Sequence, residues 1–179
     1  MLPPELRDGR LQLQSRIKIE RAAPGELFDA KLATPFAVLG IRTAGDVVTR
    51  IEYLPRGVAT LDPTTKLAAK VCRQIDKYLA DPEFEFDLPF DYCGTVFQQR
   101  VWRAIHSIPS GKTLTYIGIA RRLKSAPRPV GGACGANRLP LIIPCHRVVA
   151  SGGIGGFMHA RGGEPIQIKQ WLLKHENAG

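Results

Sequence analysis

A cysteine and a histidine stand next to each other in the C-terminal half of this 179-residue chain, inside an apolar run at residues 141–149. The pair is Cys145-His146. A cysteine becomes a strong nucleophile when a neighbouring base removes its proton, whereas most buried cysteines are inert small hydrophobes. The pair alone therefore fits two interpretations, a nucleophilic site or a structural cysteine beside a surface histidine.

The surrounding sequence favours the nucleophilic interpretation. The motif Pro144-Cys145-His146-Arg147-Val148 is followed by a Ser-Gly-Gly loop, and Asn137 precedes the cysteine by eight residues. This order of motifs resembles the active-site signature of the O6-alkylguanine-DNA alkyltransferase family. The likeness extends over residues 94–176, whereas residues 1–90 resemble the family only in general layout. Other matching segments are residues 94–102, 108–111, 115–116, 128–133 and 169–176.

The resemblance implies a DNA repair protein that transfers the alkyl group of O6-alkylguanine, and also of O4-alkylthymine, to its own Cys145. The modified oxygen lies within the stacked duplex, so the base must be extruded through the minor groove before a thiol can attack in line. The product is an S-alkyl thioether, which offers water no easy leaving group. The protein is therefore expected to react once and not to turn over.

The resemblance also implies roles for the residues around Cys145. His146 takes the thiol proton through a bound water, and Glu176 orients the imidazole. Tyr116 donates its phenolic proton to the guanine as negative charge develops there, and Asn137 braces the turn before the cysteine. These five residues form the predicted catalytic set.

Glu176 is also notable on physical grounds. It lies near the end of a predicted helix opened by Pro165, where a carboxylate opposes the helix dipole by about 0.3 to 1 kcal/mol. Such a position predicts a specific partner, although a frayed terminus would leave the side chain in water. Lys169 lies about two turns earlier on the same face, where it either reaches the site or is solvated.

The segment before Asn137 has the proportions of a helix-turn-helix. Residues 115–123 predict a first short helix, residues 124–127 a turn, and residues 128–136 a second short helix. The second helix is rich in glycine, and each glycine inside a helix costs about 0.5 to 1 kcal/mol against alanine. The small residues in question, which are also the predicted DNA-binding residues, are Gly131, Gly132, Ala133 and Gly135.

A helix face with almost no side chains can approach another surface closely. It suits a recognition helix in the shallow, narrow minor groove, although a glycine-rich connecting turn fits the same spacing. Arg128, between Pro127 and Pro129, resembles the family's arginine that takes the place of the extruded base. An ordinary exposed arginine fits the sequence as well.

The resemblance further implies an alkyl pocket. Its predicted lining residues are Cys134, Pro140, Val148, Ser151, Phe157 and Lys169. Cys134 could equally be a small core residue. Between Phe157 and Lys169 the chain is about five residues longer than the family pattern. This insertion is either a neutral surface loop or a movable pocket wall that admits larger adducts, and His159 and Arg161 in it could touch the phosphate backbone.

The charge is distributed unevenly along the chain. Residues 1–90 contain 13 basic and 13 acidic residues, so the whole excess of +9 lies in residues 91–179, which also hold the cysteine motif. A solvated basic surface would explain such an excess, but a polyanionic partner explains it better, and nucleic acid is the most common one. The expected partner is double-stranded DNA that contains O6-alkylguanine.

The sequence predicts an α+β fold in two domains. Residues 36–43 and 47–54 predict a β-hairpin. A helix predicted from Asp62-Pro63 to Leu79 completes a small N-terminal α+β domain at residues 1–90, with a linker from about residue 81. Its predicted buried face is an apolar stripe of four residues, Leu67, Val71, Ile75 and Leu79. Residues 91–179 predict a mostly helical domain with a winged-helix-like helix-turn-helix. Its first helix is marked by a capping box at Thr95 and Gln98.

Composition indicates an intracellular protein with no membrane partner, and the family resemblance implies a monomer of the cytoplasm, or of the nucleus in a eukaryote. No run approaches about 18 apolar residues, and the early Glu5 and Asp8 do not suit a signal peptide. Some relatives carry zinc in the N-terminal half, but here no Cys or His precedes Cys72, so we expect no metal, no cofactor and reduced thiols.

Two other functions fit parts of the sequence. A non-catalytic sensor of damaged bases would share the DNA-binding motifs, but such relatives have another residue in place of Cys145. A Cys-His hydrolase would turn over on peptides or amides and would be indifferent to DNA, and it leaves the glycine-rich helix unexplained.

Overall fold

The computed structural model describes residues 28–178, so the expectation drawn from Glu5 and Asp8 lies outside the described residues. The first part of this range is a three-stranded antiparallel sheet with one helix. Its strands are β1 (Ala30–Ala33), β2 (Val38–Ala44) and β3 (Val47–Leu54), in the order β1-β2-β3. The helix is α1 (Lys66–Ala80). The predicted hairpin is confirmed, and Gly45 turns it at a φ of 57°, which suits glycine.

Helix α1 differs from its prediction in its start and in its buried face. It begins at Lys66 because Thr65 is the N-cap and accepts a hydrogen bond from the Ala68 amide. The sequence predicts a start at Asp62-Pro63, which is wrong by about one turn. Val71 and Ile75 face the core as expected, but Tyr78, and not Leu79, is the residue buried near the C-terminal end.

The second part is mostly helical. It contains α2 (Val96–His106), α3 (Tyr116–Arg122), α4 (Pro127–Gly135) and α5 (Glu164–His175), with two short parallel strands, β4 (Leu114–Thr115) and β5 (Val148–Val149). The capping box of α2 is confirmed, because Thr95 accepts from the Gln98 amide and Gln98 accepts from the Thr95 amide. The two helices predicted before Asn137 are confirmed as α3 and α4 within one residue.

The hydrophobic core runs without a break from the sheet to the helices of the second part. Trp171 on α5 packs against Phe36, with ring centroids 4.8 Å apart, and Tyr53 on β3 packs against Phe157 at 5.9 Å. A backbone bond also joins the parts, from the Ile51 amide to the Arg138 carbonyl at 2.9 Å. The fold is α+β as predicted. Within residues 28–178, no helix combines the length and apolar character needed to span a membrane.

Candidate active site

Strand pairing brings the cysteine motif next to the helix-turn-helix. Residues Cys145–Arg147 form a single 3₁₀ turn that leads into β5. β5 pairs in parallel with β4, with Val148 opposite Leu114 and Val149 opposite Thr115. Because α3 begins at Tyr116, immediately after β4, this short ladder places the tyrosine and Cys145 against one cavity. The ladder was not predicted, since two-residue strands leave no pattern in a sequence.

Asn137 holds the Cys145 segment in place. Its side-chain amide donates to the Ile143 carbonyl at 2.8 Å and to Cys145 Sγ at 3.2 Å. Its Oδ1 atom accepts from the Leu139 amide at 2.9 Å. The amide group thus fixes both the turn and the sulfur atom, in agreement with the bracing role expected of it.

A buried carboxylate gathers donors from three side chains behind the cysteine. Glu176 Oε1 accepts from His146 Nε2 at 2.8 Å, from Tyr78 Oη at 2.7 Å and from Arg147 Nη2 at 2.9 Å. Glu176 Oε2 accepts from Arg147 Nε at 2.9 Å, so the arginine binds in the bidentate manner. Glu176 is only 4% exposed although it caps the end of α5. The specific partner predicted from its unfavourable position is present.

The hydrogen bonds determine which nitrogen of His146 is basic. Burial would raise the pKa of Glu176, but the bonds from His146 and Arg147 lower it to about 2, so the group is a carboxylate. His146 Nε2 must then carry the proton that it donates. His146 Nδ1 keeps its lone pair and has no hydrogen-bond partner among residues 28–178. His146 directly follows Cys145 in the chain, and its buried nitrogen with an available lone pair is a candidate acceptor for the thiol proton.

Burial favours the uncharged forms of both reacting groups. It raises the pKa of the Cys145 thiol, an effect that the Asn137 amide and the Lys169 ammonium partly oppose. Burial also lowers the pKa of His146, against the opposing effect of Glu176. The resting pair is therefore a thiol and a neutral imidazole.

A cavity of about 600 Å³ opens in front of Cys145. One wall comes from α4 and the other from residues 156–161, which include the start of the insertion; of the predicted pocket residues, Cys134 and Phe157 line the cavity. Tyr116 lies between the two walls, and its hydroxyl donates to the Gly156 carbonyl at 3.0 Å. Burial raises the pKa of Tyr116, which keeps the phenol protonated. The lining residues are Tyr116, Pro127, Arg128, Gly131, Cys134, Gly135, Cys145, Gly156, Phe157, Met158, His159, Ala160 and Arg161.

Four predicted pocket residues do not line this cavity. Pro140 is buried in the turn before Cys145, and Ser151 is exposed in the glycine-rich loop. Val148 supports the site through its carbonyl, which accepts from Lys169 Nζ at 2.6 Å. Lys169 is fully buried and also donates to the Gly156 carbonyl at 2.9 Å, so it ties the wall to β5 and does not contact the cavity. Burial lowers the pKa of Lys169 to about 8.

The glycine-rich helix α4 presents a partly bare outer face. Arg128 and Gly132 are exposed, and a Cβ atom built on Gly131 or Gly132 would meet no atom within 4 Å. Ala133 corrects the sequence prediction, because it is 3% exposed and faces the core, where its carbonyl accepts from Trp102 Nε1 at 2.8 Å. Gly135 is not bare either, since the His159 ring lies over it.

Sequence reasoning missed two residues that contact Glu176. Tyr78 belongs to α1, almost one hundred residues away along the chain, and it falls outside the four-residue apolar stripe. No local pattern could have found it. Arg147 directly follows His146, and the need for a cation beside a buried carboxylate is a signal that could have indicated it.

Comparison with known proteins agrees with this geometry. Residues 96–178 match the family profile described as the DNA-binding domain of 6-O-methylguanine DNA methyltransferase. A methylated-DNA–protein-cysteine methyltransferase of Mycobacterium tuberculosis is 36% identical over 154 residues, which cover 81% of this chain and 89% of that protein. This chain belongs to that methyltransferase family. The Mycobacterium leprae relative is 38% identical over 67% of this chain and 76% of its own length.

Solved structures of the methyltransferase family share the fold. The Mycobacterium tuberculosis protein crystallised in complex with DNA superposes with a TM-score of 0.70 and 35% identity, covering 83% of this chain and 91% of that one. An O6-methylguanine-DNA methyltransferase from the archaeon Pyrococcus kodakaraensis gives a TM-score of 0.62 at 26% identity. The family likeness therefore includes the first part of the chain, which the family profile does not reach.

Proposed function

We propose that this protein repairs DNA by moving the alkyl group of O6-alkylguanine in a duplex onto Cys145. The observation that carries the proposal is that Cys145 lines the cavity, while the next residue, His146, donates from Nε2 to the buried Glu176 carboxylate and has no partner for Nδ1 among residues 28–178. The hydrogen bond of 2.8 Å from His146 to Glu176 fixes the orientation of the imidazole. This arrangement supplies a nucleophile, a base and an orienting group.

The reaction exchanges one bond at carbon for another. The Cys145 sulfur attacks the alkyl carbon, an S–C bond forms, and the bond from that carbon to guanine O6 breaks with its electron pair on the oxygen. His146 Nδ1 takes the thiol proton, through a water as the family resemblance implies. The adjacent carboxylate of Glu176 stabilises the imidazolium that forms. The Tyr116 phenol donates a proton toward the guanine, which stays in the DNA as the unmodified base.

The second part of the proposal concerns DNA. Helix α4 enters the minor groove with its bare face, and Arg128 at its exposed end fills the gap that the extruded base leaves. A cavity of about 600 Å³ between α4 and the insertion receives the base. The excess of +9 in residues 91–179 supports binding to a polyanion.

Further parts of the proposal rest on the same family membership. The protein acts as a monomer in the compartment that holds the DNA, which is the cytoplasm or, in a eukaryote, the nucleus. It repairs O4-alkylthymine as well, and it needs neither metal nor cofactor. Residues 91–179 form the domain that binds DNA and carries out the transfer, and the sheet and helix that precede them belong to an N-terminal α+β domain.

Mass spectrometry of the intact protein tests the chemistry directly. After exposure to excess O6-methylguanine duplex, we expect a gain of one methyl group per protein, on Cys145, with unmodified guanine left in the DNA. The Cys145→Ala variant should bind the duplex and gain no methyl group. Methyl uptake beyond one equivalent, or a label on Cys72, Cys93 or Cys134, would contradict the mechanism.

A further inference from the structure

The insertion forms a tight turn whose backbone is unusual for its sequence. The Phe157 amide donates to the Ala160 carbonyl at 2.9 Å, and the Ala160 amide donates to the Phe157 carbonyl at 2.8 Å. The two residues between them have positive φ angles, 51° for Met158 and 60° for His159. Two-residue turns of this kind are usually made by Asn and Gly, because other side chains crowd the backbone there. A histidine at this position needs contacts that hold it.

The contact that holds His159 is with the recognition helix. A Cβ atom built on Gly135 would overlap three atoms of the His159 imidazole, so only glycine leaves room for the ring. The other end of the turn is fixed by Phe157, which is 5% exposed and packs against Tyr53. The turn thus places one imidazole on the surface of α4.

The imidazole lies on the face of α4 that is otherwise bare. Gly135 follows Gly131 by four residues and Gly132 by three, so all three share one side of the helix. A Cβ atom on Gly131 or Gly132 would meet open space, and His159 itself is exposed. The insertion therefore adds to the glycine-rich face a polar group that α4 itself does not supply there.

We infer that His159 is a minor-groove contact, which binds a base edge near the lesion while α4 lies in the groove. The inference rests on the proposed function. An imidazole N–H can donate to adenine N3 or thymine O2, whereas the amino group of guanine obstructs the same position. His159 is consequently a specificity-determining residue, selective for an A·T pair at its position.

The helix geometry indicates which base pair is read. Arg128 and Gly135 lie seven residues apart on α4, which corresponds to about 10 Å along the helix axis. One base-pair step is about 3.4 Å. With Arg128 at the lesion, His159 lies two or three base pairs away, on one side only.

Binding measurements on duplexes with a single O6-methylguanine test this inference. The base pair at each of the three positions on either side of the lesion is changed between A·T and G·C, and the Kd is measured in the Cys145→Ala background. We expect A·T to bind about 3- to 10-fold more tightly at one position two or three pairs from the lesion, as for one hydrogen bond. His159→Gly should abolish this preference.

Three variants separate the side chain from the backbone of the turn. Gly and Asn both accept the positive φ at position 159, but only Asn carries a donor, so His159→Asn should keep part of the preference that His159→Gly loses. Gly135→Ala displaces the imidazole ring and should also lose the A·T preference. Combining Gly135→Ala with His159→Gly should lower the preference no further. The salt dependence of binding should be the same for His159→Gly and its parent, because no phosphate contact is removed.

Several outcomes would overturn the inference. If His159→Gly keeps the A·T preference, the ring only packs on Gly135. If His159→Gly weakens binding to all duplexes equally and lowers the salt dependence of binding, the contact is with a phosphate. If either result is found while the wild-type protein still takes up one methyl group on Cys145, the inference about His159 is wrong and the proposed function stands. If the wild-type protein shows neither methyl uptake nor duplex binding, both the proposed function and the inference about His159 are wrong.

Discussion

Tyr78→Phe is the most informative single substitution, because it removes one hydrogen-bond donor from the buried Glu176 carboxylate without changing the shape of the core. Tyr78 Oη donates to Glu176 Oε1 at 2.7 Å, and the same oxygen accepts from His146 Nε2 at 2.8 Å. Hydrogen bonds to charged groups contribute about 1.5 to 3 kcal/mol. Arg147 still donates twice to Glu176 in the variant. We therefore expect the free energy of unfolding to fall by the lower value, about 1.5 kcal/mol.

The loss of this donor should change the pKa of His146 as well as the stability of the protein. With one fewer donor, Glu176 Oε1 carries more negative charge and attracts the His146 N–H more strongly. The pKa of His146, which burial lowers, should therefore rise, by as much as about one pH unit if the whole 1.5 kcal/mol acts on the imidazolium. His146 must be neutral to accept the thiol proton, so the acid limb of the transfer rate moves to higher pH.

The assay is the single-turnover rate of methyl transfer from a duplex, measured against pH for the wild type and Tyr78→Phe. Tyr92→Phe is a matched control, since that hydroxyl bonds to His106 at 2.7 Å, away from Glu176, and should leave the acid limb unchanged. Urea denaturation of each variant gives its stability. If Tyr78→Phe lowers the stability but its acid limb stays where the wild type has it, Tyr78 only supports the fold and the reasoning is wrong.

Three further predictions concern the other groups of the site. Arg128→Ala should slow transfer from a duplex far more than transfer from free benzylguanine, since only the duplex requires base extrusion. His146→Ala should slow transfer from both substrates. Equal losses of rate on the two substrates for Arg128→Ala would place Arg128 outside the extrusion step. Deletion of residues 158–162 should slow transfer of benzyl adducts more than methyl adducts, and an unchanged ratio would show that the insertion does not set the pocket size. Glu176 has its pKa lowered to about 2, so its stabilising effect is complete above its unfolded pKa of about 4.5 and is lost as the pH falls toward 2. The advantage of the wild type over Glu176→Gln in urea denaturation should therefore shrink by about 2 kcal/mol from pH 6 to pH 3, and a constant difference would contradict the ionised carboxylate.

Local signals in the sequence predicted most of the elements that carry the chemistry. The capping box at Thr95 and Gln98 set the start of α2, and the prolines and glycines around Arg128 set the limits of α4. Helix caps and turns depend on residues within a few positions of each other, so a sequence displays them directly. The position of Glu176 at a helix end also predicted its need for a partner.

Contacts between distant segments could not be predicted in the same way. Tyr78 reaches Glu176 only because α1 packs against the end of α5, and nothing near either residue along the chain indicates it. The same reason explains His159, whose ring lies over Gly135 only once the turn and α4 are packed together. The amino-acid sequence by itself predicted a nucleophile and its base, through the family resemblance of their motif, and it predicted helices α2, α3 and α4. The tertiary structure decided which groups surround the carboxylate and which side chain covers the bare helix, because both depend on packing between segments far apart in the chain.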